Sequence, residues 1–361
     1  MIEPITLKEN FQGINIYKQY TRKKIFIIVM LIFTILILSI IAINAGSTAL
    51  TPYEVLSAIL GKEGNISSIV IWRIRLPRIL AGIVSGIGLS VAGCVMENNL
   101  RNPLASPSTL GISNAAAFGA NIAIVLLGGG SIHSTSADAV NINNPYMVTA
   151  SAFICSIVAT IIILVLAKFR NFLPEAIVLA GVALGSLFSA ATTIIQYFAQ
   201  DVQIAAAVFW SFGDLGRVSW SELIILSFVI GVSLIYFMIR RWDYNALDSG
   251  EESAKSLGVN VERVRFESMF ISSLITAVCV SFLGIIGFVG LIGPQIMRRI
   301  IGGDHRHLIP AAALMGANLI LLSDTLARTI ISPVVLPVGA ITSFLGAPMF
   351  LYLLIRGSKK R

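Results

Sequence analysis

No Asp, Glu, Lys or Arg occurs at residues 25–53, 79–96, 102–132, 139–167, 176–200, 223–239, 268–297, 308–323 or 329–355. These uncharged runs constrain the fold more than any other feature. A helix that crosses the hydrocarbon core of a bilayer needs roughly 20 apolar residues, and most of the runs supply that many. Soluble chains are usually about 25% charged; here only 12% of 361 residues are charged and 56% are hydrophobic. A transmembrane β-barrel is excluded, because its strands would alternate polar and apolar residues. The run 268–297 exceeds one crossing, and Gly284, Gly287, Gly290 and the Gly293–Pro294 pair favour a break into two segments. The expected helices are 25–45, 79–97, 108–127, 147–168, 175–199, 221–240, 265–283, 286–301, 308–324 and 336–356. The fold class is therefore an all-α polytopic membrane protein with about ten transmembrane helices.

An even number of crossings puts both termini on one side. With both in the cytoplasm, 20 of the 26 Lys and Arg lie inside and 6 outside, and the positive-inside rule selects this N-in, C-in orientation. The net charge of +8 is scattered through loops and not gathered on a soluble domain, which argues against a nucleic-acid partner. The chain divides into a cytoplasmic segment 1–24, a single transmembrane domain 25–356 with a cytoplasmic loop at 241–265, and a cytoplasmic tail 357–361. The apolar stretch after Arg22-Lys23-Lys24 is too long for a signal-peptide core and reads as the first helix.

The six outer basic residues are Lys62, Arg73, Arg75, Arg78, Arg217 and Arg328. They either anchor helix ends by snorkelling or form an electropositive face for an acidic partner. In the inner loop, Ser249 to Gly258 reads as a short helix stopped by Gly258. It is either a solvated connector or a docking knob for a cytoplasmic subunit.

The chemistry of an enzyme is missing. No G-x-x-x-x-G-K-[ST] is present, so the chain has no phosphate-cradling loop of its own. His133, His305 and His307 fall in predicted loops. Cys94, Cys155 and Cys279 sit inside apolar runs without metal-ligand spacing and read as small core hydrophobes. No catalytic residue, cofactor or metal site is expected. Charges are nearly absent from the helix cores, with Glu97 and Asp324 at helix ends. An ion-coupled carrier usually needs a titratable group near the midplane, so the energy is expected to come from a separate partner. Gly82, Gly86 and Gly93, like Gly181 and Gly185, have the spacing of helix-packing faces. Pro103, Pro107, Pro294, Pro337 and Pro348 break or start helices around a central pathway.

Several stretches, taken in order, carry a resemblance. Arg75-Leu76-Pro77-Arg78 leads to Asn102-Pro103-Leu104-Ala105-Ser106-Pro107 and Leu110-Gly111-Ile112-Ser113. Leu179-Ala180-Gly181 and Ser249-Gly250-Glu251-Glu252 through Leu257-Gly258 follow. Near the end come Gly287 through Pro294, Asp304-His305-Arg306, Leu336-Pro337-Val338-Gly339 and Gly346-Ala347-Pro348. Over about residues 25–356 the chain resembles the FecCD family, the permease subunits of iron-siderophore, haem and cobalamin ABC importers.

The resemblance implies a type II ABC importer permease fold in the cytoplasmic membrane, working as a pair of permease copies or paralogues. It implies an ATPase subunit below that binds the ATP and a substrate-binding protein above. Arg75, Arg78 and Arg328 match arginines that meet acidic residues of the binding protein. Gly250, Glu251, Glu252, Ala254, Leu257 and Gly258 match the element that inserts into the ATPase, and Pro174 and Glu175 match the cytoplasmic gate. Asn102, Pro103, Gly290, Pro294, Gln295, Pro337, Gly339 and Pro348 belong to family motifs along the pathway, whose walls are expected on helices five, eight and ten. Gln295 stands where a histidine is common, Val335 where a glutamate usually precedes the Leu-Pro-Val-Gly motif, and Ser106 where an acidic residue is frequent. The commonest family cargo, a ferric siderophore, comes first, with cobalamin or haem next.

Overall fold

The computed structural model describes residues 7–45, 57, 66–129, 144–332 and 334–357. Lys62, His133 and most of the tail lie outside them. The described residues are helical throughout, apart from turns and one isolated bridge between Phe212 and Ile285. Helix α1 is Leu7–Asn44, and α2 (Ile66–Val70) runs through a π-turn at Ile71–Arg75 into α3 (Leu76–Leu100). Then come α4 (Ile112–Asn121), extended by a π-turn at Ile122–Leu126, α5 (Pro145–Phe169), α6 (Pro174–Tyr197) and α7 (Asp201–Ser211). A 3₁₀ turn at Leu215–Arg217 precedes α8 (Trp220–Ile239), α9 (Arg241–Asp248) and α10 (Glu251–Ser256). The chain finishes with α11 (Val261–Leu283), α12 (Val289–Ile301), α13 (His305–Thr329) and α14 (Val338–Gly357).

A helix stands at each of the ten expected positions. Among the described residues, seven helices are long and apolar enough to cross a membrane, while Ile112–Leu126, α12 and Val338–Tyr352 are shorter. Start signals in the sequence set several boundaries. Pro77, Pro145 and Pro174 sit in the first turns of their helices, where a missing N–H costs nothing. Ser219 and Glu222 form a capping box at α8, and Asn260 and Asp304 accept from Arg263 N–H and Arg306 N–H at 3.0 and 3.1 Å. The run 268–297 breaks as expected: α11 stops at Leu283 and Gly284 adopts φ +79.

Three expectations are corrected. The second helix begins well before residue 79, because its arginines are accommodated in the helix and do not end it. Helices α7 and α9 occupy stretches read as loops. His305 and His307 lie in the first turn of α13, with His305 fully buried.

Helix α3 runs through the core against α13, α12, α11 and α8. A Cβ on Gly86 would stand 2.5 Å from the Gly316 carbonyl oxygen of α13, and one on Gly93 only 1.7 Å from the Gly290 carbonyl oxygen of α12. Pro294 has no N–H for that Gly290 carbonyl, so the bare Cα of Gly93 lies against an oxygen the helix leaves free. Where helix ends meet irregular backbone, the polar groups satisfy one another, as a bilayer demands. Asp214 N–H donates to Leu283 carbonyl and Val338 N–H to Gly213 carbonyl, each at 2.8 Å. Gly339 sits so close to the Ile285 carbonyl oxygen that a Cβ would come within 2.3 Å, which explains a glycine one residue inside α14. Large apolar side chains face outward on α1, α6 and α8, including Phe33, Leu187 and Phe228.

Candidate functional site

Arg75, Arg78 and Arg328 come together at one end of the bundle, the outer end by the charge bias. Arg78 donates from Nε to Asp324 Oδ1 at 2.8 Å, and its Nη2 stands 3.1 Å from Asp214 Oδ1. Arg328 Nε stands 3.0 Å from Asp324 Oδ2, and its Nη1 donates to the carbonyls of Ala42 and Ala45 at 3.1 and 2.7 Å. Arg75 donates to the Ile43 carbonyl. All three arginines are buried. At these positions the side chains lie among Asp324, Asp214 and the carbonyls at the end of α1 and present no exposed cationic face. Asp324 itself lies inside α13 and is fully buried, not loosely placed at a helix end. Arg73, one residue earlier in the π-turn than Ile74, is the exposed basic side chain there.

A groove of about 540 Å³ runs along one face of α6. Helix α6 approaches the loop before α4 through glycines: Gly111, at φ +81, would place a Cβ 2.7 Å from the Gly185 Cα. Asn114 Nδ2 donates to the Gly185 carbonyl at 3.1 Å. The polar lining comes from Ser108, Thr109, Asn114, Ser186, Ser189 and Thr193 and holds no charged group. Ser186 and Thr193 donate to the carbonyls of Val182 and Ser189 at 3.0 and 3.1 Å, which leaves hydroxyl oxygens as neutral acceptors along the wall.

Toward the start of α6 the groove meets a second cavity of about 520 Å³, which shares Val182 and is lined by Arg101, Asn102, Pro174, Glu175 and Leu179. The structure thus brings Asn102 of the loop after α3 beside Pro174 and Glu175 in the first turn of α6, 72 and 73 positions on. Asn102 shapes its loop by accepting from Leu104 N–H at 2.9 Å, and Gln295 Nε2 reaches the Pro103 carbonyl at 3.5 Å. The other motif residues lie elsewhere. Gly290 and Pro294 form the packed crossing of α12 with α3, Pro337 and Gly339 open α14, and Pro348 is exposed on α14.

The short helix expected after Ser249 is α10, between Gly250 at φ +122 and Gly258 at φ +84. Ala254 anchors it in the core, while Glu252, Leu257 and Gly258 are exposed. Sequence reasoning missed α9, which fixes this element to the bundle. Asn98 Nδ2 donates to Asp248 Oδ1 at 2.6 Å, and Arg101 Nη2 donates to the Leu247 carbonyl at 2.9 Å. The His305 ring stands 3.0 Å from Asn245 Oδ1. Burial pushes the Asp248 carboxyl above its ordinary range. Buried Tyr244 and Leu247, three positions apart, were the available helical signal.

The FecCD transport family model matches residues 32–356. The chain belongs to the FecCD family. A provisionally named ABC transporter permease of Methanocaldococcus jannaschii is 57% identical over 95% of this chain and 98% of its own length. The hemin transport system permease protein HmuU of Yersinia pestis is 37% identical, over 92% of this chain and 97% of its own. The Fe(3+)-citrate import system permease protein YfmE of Bacillus subtilis is 33% identical, over 95% and 100%. A solved structure of a provisionally assigned metal-chelate type ABC transporter, in an inward-facing conformation, superposes with a TM-score of 0.79 at 28% identity, covering 91% of this chain and 99% of its own. This FecCD chain is thus a multi-pass transport permease of the cytoplasmic membrane.

Proposed function

We propose that this FecCD permease imports a metal chelate, a ferric siderophore before haem or cobalamin, by ATP-driven alternating access. The observation that carries the reading is the neutral, hydroxyl-lined groove of α6 that opens into the cavity at Pro174 and Glu175. A wall of weak acceptors without charge lets a bulky polar complex pass and leave without being held. Relatives named for hemin and ferric citrate support the chelate class.

In this reading two permease copies face each other across their α6 grooves. A separate ATPase subunit binds the ATP and receives α10 through Glu252 and Leu257. ATP shifts the pair between open states only by binding one of them more tightly. A substrate-binding protein docks at the outer mouth, where Arg73 offers its charge and Arg75, Arg78 and Arg328 hold the receiving surface in shape. Titrating the cognate binding protein with ferric chelates, haem and cobalamin, then following uptake of the bound ligand into proteoliposomes holding the whole complex, tests this. Tight binding of a ferric chelate and uptake that stops without ATP are expected. Uptake that survives ATP depletion and collapses with the proton gradient would replace the ATP-driven reading with a secondary carrier.

A further inference from the structure

Arg265, near the start of α11, is 2% exposed and reaches two elements at once. Its Nη2 stands 3.0 Å from Glu251 Oε2 in the first turn of α10, and its Nη1 donates to the Phe172 carbonyl at 3.4 Å. Phe172 lies in the link between α5 and α6, immediately before the Leu173–Pro174 step that starts α6.

That link is held in a costly shape. Asn171 and Phe172 take φ +50 and +54, consecutive left-handed conformations without a glycine. Such backbone persists only where its surroundings fix it. Phe172 N–H donates to the Ala167 carbonyl at 2.8 Å, and the buried Phe172 ring meets Phe266 edge-on at 6.1 Å between centroids. Arg265 and Phe266 are neighbours in sequence, so the first turns of α11 grip Phe172 by both its carbonyl and its ring.

We infer that Arg265 is a positioning residue that passes movement of α10 to the left-handed link ahead of α6, coupling the inner mouth to the cytoplasmic helix. The inference rests on the proposed roles of α10 and of Pro174 and Glu175. The physics is that of a buried charge. Arg265 cannot be left without its carboxylate at acceptable cost, so it follows Glu251 when α10 is displaced. Its planar fork addresses a carboxylate and a carbonyl from different N–H groups in a fixed geometry, which a lysine ammonium does not reproduce. Among the described residues its buried Nε has no hydrogen-bond partner, so the guanidinium is steered by few bonds. Hydrogen bonding from Lys255, with the nearby Arg265 charge, holds the Glu251 carboxyl below its ordinary range and keeps it ionised.

The test uses the assembled complex of permease, ATPase and binding protein in proteoliposomes, with spin labels at position 175 of both permease copies. In Arg265→Gln the ATPase is expected to co-purify and hydrolyse ATP near the unmodified rate. Uptake per ATP is expected to fall about tenfold, within the usual range of coupling free energies, and the ATP-dependent change in the label distance to disappear. Glu251→Gln should lower uptake at least as far, and the double variant should lower it no further than Glu251→Gln alone. If Arg265→Gln fails to assemble, Arg265→Lys carries the test, since it keeps the charge and loses the fork. A label distance that still responds to ATP in the variant, or hydrolysis and uptake that fall together, overturns the inference. A distance that fails to respond in the unmodified complex overturns the gate reading beneath it.

Discussion

The guanidinium groups of Arg78 and Arg328 share the carboxylate of Asp324 where none of the three residues is more than 9% exposed. Removing one partner from a buried ionic group leaves the others desolvated without compensation, at a cost of about 3–5 kcal/mol. Asp324→Asn keeps the shape and removes the charge, so it is expected to lower stability by about that amount, read as thermal unfolding in detergent. Arg73→Ala, at an exposed position, should stay within about 0.5 kcal/mol of the parent in the same measurement. Equal melting of Asp324→Asn and the parent would show that the cluster holds nothing together. The sequence marked these arginines as anomalies of the charge bias and set Asp324 one turn before Arg328, yet it could not show that Arg78 shares that carboxylate. Asp324 lies 246 positions from Arg78, and the Ala42 and Ala45 carbonyls lie more than 280 from Arg328. Long-range pairing of this kind leaves no local pattern to read.

Between helices, the contacts were far more legible. The spacing of Gly86 and Gly93 announced a face of α3 made for close approach, and both glycines lie against backbone of neighbouring helices. Gly93→Ala would drive a methyl group into the Gly290 carbonyl, and overpacking of this sort costs about 1–3 kcal/mol. Among the described residues Gly231→Ala in α8 meets nothing within 4 Å and should instead gain up to about 1 kcal/mol from helix propensity. Thermal unfolding of the two variants side by side checks this, and a shift of the same sign in both would contradict the packing argument. Boundaries were harder where charge and helix coincide. Arg73, Arg75 and Arg78 bound the uncharged run that starts at residue 79, whereas the chain is already helical from Ile66. Helix α9 escaped notice because it is short and polar outside, with burial limited to Tyr244 and Leu247.

Across the fold as a unit, the order of motifs along the chain identified the family, while the lining of the α6 groove had to be assembled in space. Ser108 to Asn114 and Gly181 to Thr193 meet in one groove only because Gly111, Gly181 and Gly185 let α6 approach the α4 loop. Ser186 and Ser189 are exposed on that groove, so a large side chain there meets open space and not core. Ser186→Trp and Ser189→Trp are accordingly expected to leave thermal unfolding in detergent unchanged and the ATPase still bound. If the groove is the route of the cargo, each should lower uptake into proteoliposomes on the order of tenfold, equivalent to a barrier raised by about 1.4 kcal/mol. Ser186→Ala and Ser189→Ala remove one neutral hydroxyl each and should transport nearly as well as the parent, because a weak wall does not depend on any single acceptor. The tryptophan on an exposed position of α8, Phe228→Trp, serves as the control for bulk facing outward. Uptake unaffected by tryptophan at both serines would mean that this face of α6 meets lipid or a partner helix, and the pathway would then have to run along another surface of the bundle.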